Sequence, residues 1–83
     1  MKKSEFSAYL AQEISDAQQR ISPKMSKSDR VDTGRAEFLT VLKNVVDSSA
    51  SPEDLGRIGA LNDALQVLGL LPGAKTLLAG LTP

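Results

Sequence analysis

Apolar side chains in this 83-residue sequence recur every three or four positions, the repeat of an α-helix, and nowhere alternate as they do in a strand. Composition favours the same class, because the chain contains 12 Leu and nine Ala but only three aromatic residues. Leu and Ala are strong helix formers, whereas strands prefer β-branched and aromatic residues. The sequence therefore predicts an all-α fold: a compact bundle of three main helices plus a short C-terminal helix.

Three residue types that carry much of protein chemistry are missing, because the sequence contains no His, Cys or Trp. Disulfide bonds, the usual zinc, iron–sulfur and haem sites, and Ser–His or Cys–His nucleophile pairs are therefore excluded. We expect a protein that is not an enzyme and binds no cofactor or metal. A chain without cysteine also suits the reducing cytoplasm, where we expect it to reside. Its length predicts a single helical domain over residues 1–83.

The first helix is predicted from about Ser4 to Arg20, with the Ser4 hydroxyl as its cap. Residues 22–32 are predicted to form a flexible loop, because Pro23 disfavours helix before it and the serines and aspartates compete for backbone hydrogen bonds. The first helix presents one apolar stripe, with spacings of 4, 4, 3 and 4, made of Phe6, Leu10, Ile14, Ala17 and Ile21.

The second helix is predicted to start near Asp32 or Thr33 and to run to about Asp47. Its apolar surface is broad, which is typical of a central helix that is contacted on two sides. The residues of this surface are Phe38, Leu39, Val41, Leu42, Val45 and Val46.

Ser51-Pro52-Glu53-Asp54 is the clearest local signal in the chain. A capping serine, a proline at the first helical position and acidic residues in the first turn predict the start of a third helix, which Gly69 should end. Gly56 and Gly59 lie inside this helix, and we expect them to allow close approach of another helix. A fourth, short helix is predicted from Ala74 to Leu81.

Two weak chemical signals are better explained as ordinary structure. Gly69 to Thr76 partly resembles a phosphate-binding loop, but its spacing is one residue short and Ala74 stands where a glycine is needed before Lys75. The acidic pairs Glu13 with Asp16 and Glu53 with Asp54 have the spacing of solvated surface charge. Neither pattern predicts a catalytic or nucleotide site.

Charge is balanced overall but segregated along the chain, with a net charge of +3 over residues 20–35 and −3 over residues 36–63. The basic stretch is a possible contact for a polyanion, and a small nucleic-acid-binding regulator is our alternative function. Nucleic acid remains the less favoured partner, because acidic residues interrupt the stretch and no aromatic residues are interleaved for stacking on bases. The basic residues are Arg20, Lys24, Lys27, Arg30 and Arg35.

The C-terminal region from Ala64 to Pro83 carries 11 Ala, Leu or Val residues and one charge. Glycines and prolines interrupt it, so the sequence predicts no membrane span. The leucines exceed what one short helix must bury, and such a surplus marks either an interface or the core. The residues in question are Leu70, Leu71, Leu77, Leu78 and Leu81.

We therefore interpret the chain as a small, non-enzymatic protein-binding module, an adaptor or an inhibitor that occludes a surface of its partner. Apolar side chains would form the centre of the contact and the two charged regions would orient the partner. Its partner is expected to be another protein, and the module is expected to form a homodimer or another homo-oligomer, with the C-terminal leucines as the interface. No motif in the sequence is specific enough to assign a family.

Overall fold

The computed structural model describes residues 1–73 and 75–83, and within these ranges the secondary structure is three α-helices without a β-strand. Helix α1 spans Lys3–Arg20, α2 spans Lys27–Val46 and α3 spans Pro52–Val67. The predicted all-α class with three main helices is therefore confirmed. In the described part of the chain, no helix is both long and apolar enough to cross a membrane.

Helix α1 turns its predicted apolar stripe towards the rest of the protein. Leu10 and Ala17 are fully buried, and the other three members of the stripe are half-buried. The predicted cap is wrong, because the helix begins one residue earlier and Lys2 is the N-cap. There the Glu5 carboxylate accepts a hydrogen bond from the Lys2 backbone N–H at 3.0 Å. This bond satisfies one of the amides that a helix start leaves without a partner.

Helix α2 corrects the prediction of a flexible loop over residues 22–32, because the helix already begins at Lys27. Ser26 is its cap: the Ser26 hydroxyl accepts from the Asp29 backbone N–H at 3.3 Å. In return the Asp29 carboxylate accepts from the Ser26 backbone N–H at 2.9 Å. This reciprocal capping box starts the helix early and shortens the connection between α1 and α2 to six residues, 21–26.

Helix α3 begins as predicted, with Ser51 as the cap, Pro52 in the first turn and a capping box that Asp54 completes. The helix also ends as predicted, because Gly69 follows the last turn with a φ of +75°, a conformation that glycine adopts without strain. The role expected for Gly56 and Gly59 is wrong. Among the described residues, no atom would lie within 4 Å of a side chain at either position, so neither α1 nor α2 approaches these glycines closely.

Helix α2 is central, as predicted, and packs against both α1 and α3. The core cluster takes a residue from each helix: Leu10 from α1, Leu42 and Val46 from α2, and Ile58 from α3. Phe38 departs from the predicted apolar face, since it remains 44% exposed. The core cluster instead takes Leu42 and Val46 from the last turns of α2, so Phe38 lies outside it.

The chain after α3 differs from the predicted fourth helix, whose first residue, Ala74, lies outside the described residues. Residues 77–80 form turns, with bonds from Ala79 N–H to the Thr76 carbonyl and from Leu81 N–H to the Leu78 carbonyl. This C-terminal segment, residues 75–83, returns to the start of the chain. The Thr82 backbone N–H donates to the Met1 carbonyl at 3.0 Å, and the Thr82 carbonyl accepts from the Lys3 backbone N–H at 2.7 Å. The segment is thus held by these bonds to the start of the chain and by the packing of its leucines, rather than by the backbone bonds of a helix.

Candidate protein-binding surfaces

The C-terminal end of α3 carries an exposed apolar patch, hereafter the C-terminal patch. Four large aliphatic side chains form it, and their exposed fractions are 88% for Val67, 69% for Leu68, 69% for Leu70 and 39% for Leu77. Isolated exposed leucines are ordinary on a protein surface, whereas a group of neighbouring ones marks an interaction site. The patch is therefore the strongest candidate contact surface at this end of the molecule.

Two polar side chains of α3 fix the position of the chain that contributes Leu77. The Asn62 side-chain carbonyl accepts from the Leu77 backbone N–H at 2.9 Å. One turn further on, the Gln66 amide donates to the Lys75 carbonyl at 2.6 Å. Because α3 itself holds both backbone groups, Leu77 lies beside the last two turns of the helix.

The five leucines predicted as an interface differ in their burial in the structure. Leu78 and Leu81 pack against the core cluster, so their side chains belong to the interior. Leu71 is half-buried, while Leu70 and Leu77 are exposed. The sequence could not separate these groups, because the register of the C-terminal segment depends on its contacts with α1 and α3.

The five basic residues predicted as a polyanion contact also separate. Arg20 contacts Asp32 at 2.9 Å and Arg35 contacts Glu13 at 3.2 Å, so both arginines join α1 to α2. The hydrogen bond to Asp32 raises the pKa of Arg20 above its ordinary value. The remaining three side chains are exposed and form no ion pair within the described residues; they are Lys24, Lys27 and Arg30.

Two acidic residues that sequence reasoning took for surface or loop charge are buried, Asp29 and Asp54. Each completes the capping box of its helix, and Asp54 also contacts Arg57 at 3.0 Å. The Ser22 hydroxyl donates to the Asp29 carboxylate at 2.6 Å, and the backbone N–H groups of Ser26 and Ser22 add two further bonds. These bonds lower the pKa of Asp29 to about 2, so it remains a carboxylate at neutral pH.

An open groove of about 680 Å³ lies along the middle of α2. The end of α1 forms one wall and Arg57 of α3 contributes to the other. Its lining mixes apolar and polar groups, including Gln18, Ile21, Gly34, Glu37, Phe38 and Val41. The groove has the volume of a small-molecule pocket, but its open shape and few buried polar groups suit a protein side chain better.

Along this groove, α2 exposes a face that sequence reasoning missed, hereafter the α2 face, and three of its residues, Gly34, Glu37 and Phe38, also line the groove. It consists of Val31, Gly34 and Phe38, flanked by the exposed charges of Arg30 and Glu37. The signal was present in the spacing, since steps of three and four residues from Val31 place all three apolar positions on one side of the helix. It was hidden because residues 27–32 of α2, which include Val31, were taken for a loop.

The chain matches no protein-family model, and no curated protein or solved structure is significantly similar to it.

Proposed function

We propose that this protein is a small, non-enzymatic protein-binding module that acts by contact, as an adaptor or as an inhibitor that occludes a surface of its partner. The C-terminal patch is the observation that carries the proposal, because it exposes four large aliphatic side chains at the end of α3 and in the segment that returns along it. Self-association belongs to the same proposal. So does a cytoplasmic location, which the absence of cysteine from the sequence supports.

The size of the patch indicates the kind of contact that it can support. Complete burial of one exposed aliphatic side chain contributes about 1.5–3 kcal/mol, so these four contribute roughly 4–8 kcal/mol when their present partial burial is allowed for. Association itself costs on the order of 4–15 kcal/mol. The patch therefore suits a reversible contact, whose strength depends on polar and charged groups at its edge.

The test is a comparison of two variants in partner capture from the source cell. Leu70→Asp places a carboxylate in the centre of the patch, where burial against an apolar surface is unfavourable without a hydrogen-bonding partner. Because Leu70 is already exposed, the variant should fold as the wild type does, which far-ultraviolet circular dichroism verifies. A protein that the wild type retains should be lost from Leu70→Asp.

Ala11→Asp is the matched control, since it adds the same carboxylate at an exposed position of α1. The control should retain the captured protein. Equal capture by the wild type and both variants would show that the C-terminal patch is not the binding surface. Loss from both variants would point to an effect of added charge rather than to the patch.

A further inference from the structure

The α2 face has the pattern of one half of an antiparallel helix pair. Gly34 is at its centre, and a side chain there would meet no atom within 4 Å, so the backbone is open to close approach. Val31 lies three residues before Gly34 and is 66% exposed, and Phe38 lies four residues after it and is 44% exposed. Both are large apolar residues that the described helices leave partly uncovered.

A two-fold axis that passes beside Gly34 would match these residues with one another. In an antiparallel pair, a residue before the axis lies opposite a residue at a similar distance after it in the second helix. Val31 of each copy then comes opposite Phe38 of the second copy, and the two Gly34 residues meet at the crossing point. The absence of a side chain at the crossing lets the two backbones approach while each Phe38 covers a Val31.

The charges beside these apolar residues fit the same arrangement. Arg30 and Glu37 are both exposed, and neither forms an ion pair with any other described residue. About the same axis, Arg30 of each copy comes opposite Glu37 of the second copy, which gives two symmetric ion pairs. The charges of this surface are thus self-complementary about an antiparallel two-fold axis.

From this geometry we infer that α2 forms an antiparallel, two-fold contact with α2 of a second copy of this chain. The inference rests on the self-association in the proposed function and assigns it to the α2 face, in place of the C-terminal leucines. The contact involves one face of one helix and is therefore smaller than a standard interface of about 800 Å² per partner, so the dimer is weak and reversible. The C-terminal patch then stays free for a different protein.

Reversal of single charges in the full-length protein tests the inference. The measurement is sedimentation equilibrium from about 10 µM to 1 mM protein, at low salt because exposed charges are screened at high salt. The wild type should show a monomer–dimer equilibrium. Arg30→Glu and Glu37→Arg should each weaken the dimer about tenfold or more, because each places like charges opposite one another. The double variant R30E/E37R should restore the wild-type dissociation constant to within roughly threefold, since the pairs are re-formed with exchanged signs.

Two controls separate this contact from other effects. Lys24→Glu makes the same change in net charge as Arg30→Glu, but in the loop before α2, and should leave the dimer unchanged. Leu70→Asp should also leave the dimer unchanged, so failure of the C-terminal patch as a partner site and failure of the α2 face can be told apart.

Four outcomes would overturn the inference: a wild type that is monomeric at about 1 mM, equal effects of Lys24→Glu and Arg30→Glu, a double variant as weak as the single ones, or dissociation by Leu70→Asp. The last outcome would assign self-association to the C-terminal patch. Circular dichroism on every variant confirms that the helices are intact, which is expected because all of these positions are exposed.

Discussion

Leu78 and Leu70 lie eight residues apart in the same leucine-rich region, yet their truncation should have very different effects on stability. Leu78→Ala removes three carbon atoms from a side chain that packs against the core cluster. Truncation of a fully buried leucine to alanine costs about 2–5 kcal/mol. Because Leu78 is only half-buried, we expect the lower end, about 2 kcal/mol. Leu70→Ala removes a mostly exposed side chain and should change stability by less than about 0.5 kcal/mol.

Urea unfolding followed by far-ultraviolet circular dichroism measures both effects, because the fold is helical and the sequence contains no tryptophan. Thermal unfolding is a second measurement. For a chain of this size, a loss of about 2 kcal/mol lowers the Tm by roughly 8–16 °C, well above the error of a thermal scan. The measurements are made at low micromolar concentration, where self-association makes no contribution to stability. Equal stabilities of the two variants would show that the C-terminal segment does not pack on the core and would refute this reasoning.

The remaining predictions concern helix starts, a helical glycine, pH and nucleic acid. Ser26→Ala and Ser51→Ala should each destabilise the protein by about 1 kcal/mol in urea unfolding, since each removes a helix cap; no change for Ser26→Ala would place the start of α2 elsewhere. Gly56→Ala should stabilise α3 by up to about 1 kcal/mol, because the position is open and helical; a lower Tm would contradict this. The hydrogen bonds lower the pKa of the Asp29 carboxylate from 3.8 to about 2. The carboxylate therefore stabilises the fold at a pH above 3.8, and this stabilisation is lost as the pH falls from 3.8 to about 2. Asp29→Asn should therefore be less stable than the wild type at neutral pH, and the difference should shrink over that acidic range; a difference that stays constant with pH would exclude the carboxylate as its cause. Any binding to nucleic acid should be weak, independent of sequence and lost by roughly 200 mM salt in a fluorescence titration, because two of the five basic residues are held in ion pairs; a tight, salt-resistant complex would favour the alternative function.

The two helix starts show how much of this fold could be predicted from sequence. The start of α3 at Ser51 was interpreted correctly, because a proline after the serine reinforces the capping pattern. Ser26 and Asp29 have the same spacing and form the same capping box, yet the segment was predicted as a loop. Its extra serines and aspartates are equally typical of irregular structure. Asp29 also accepts two hydrogen bonds from Ser22, on the other side of the loop, and the local sequence pattern does not predict them.

The candidate surfaces were harder to predict, because exposure depends on contacts between distant parts of the chain. Apolar periodicity identified the buried side of α1 from local spacing alone. It could not identify Phe38 as exposed, since the exposed fraction of a side chain on α2 depends on how the three helices pack together. Nor could it show that Arg20 and Arg35 are held by carboxylates, because those pairs form only after α1 and α2 have packed together.

The return of the C-terminal segment to α1 also determines which part of the protein opens first. The contact between Thr82 and Met1 closes a loop of almost the whole chain, whereas α1 and α2 are joined by a short connection. Closure of a long loop is entropically unfavourable, and the segment is held by few bonds. Local opening should therefore release residues 75–83 while the three helices stay folded. Amide hydrogen exchange would record this as fast exchange at Leu77 and Thr82 and slow exchange at Leu42, and each opening would briefly uncover the apolar core beside Leu10.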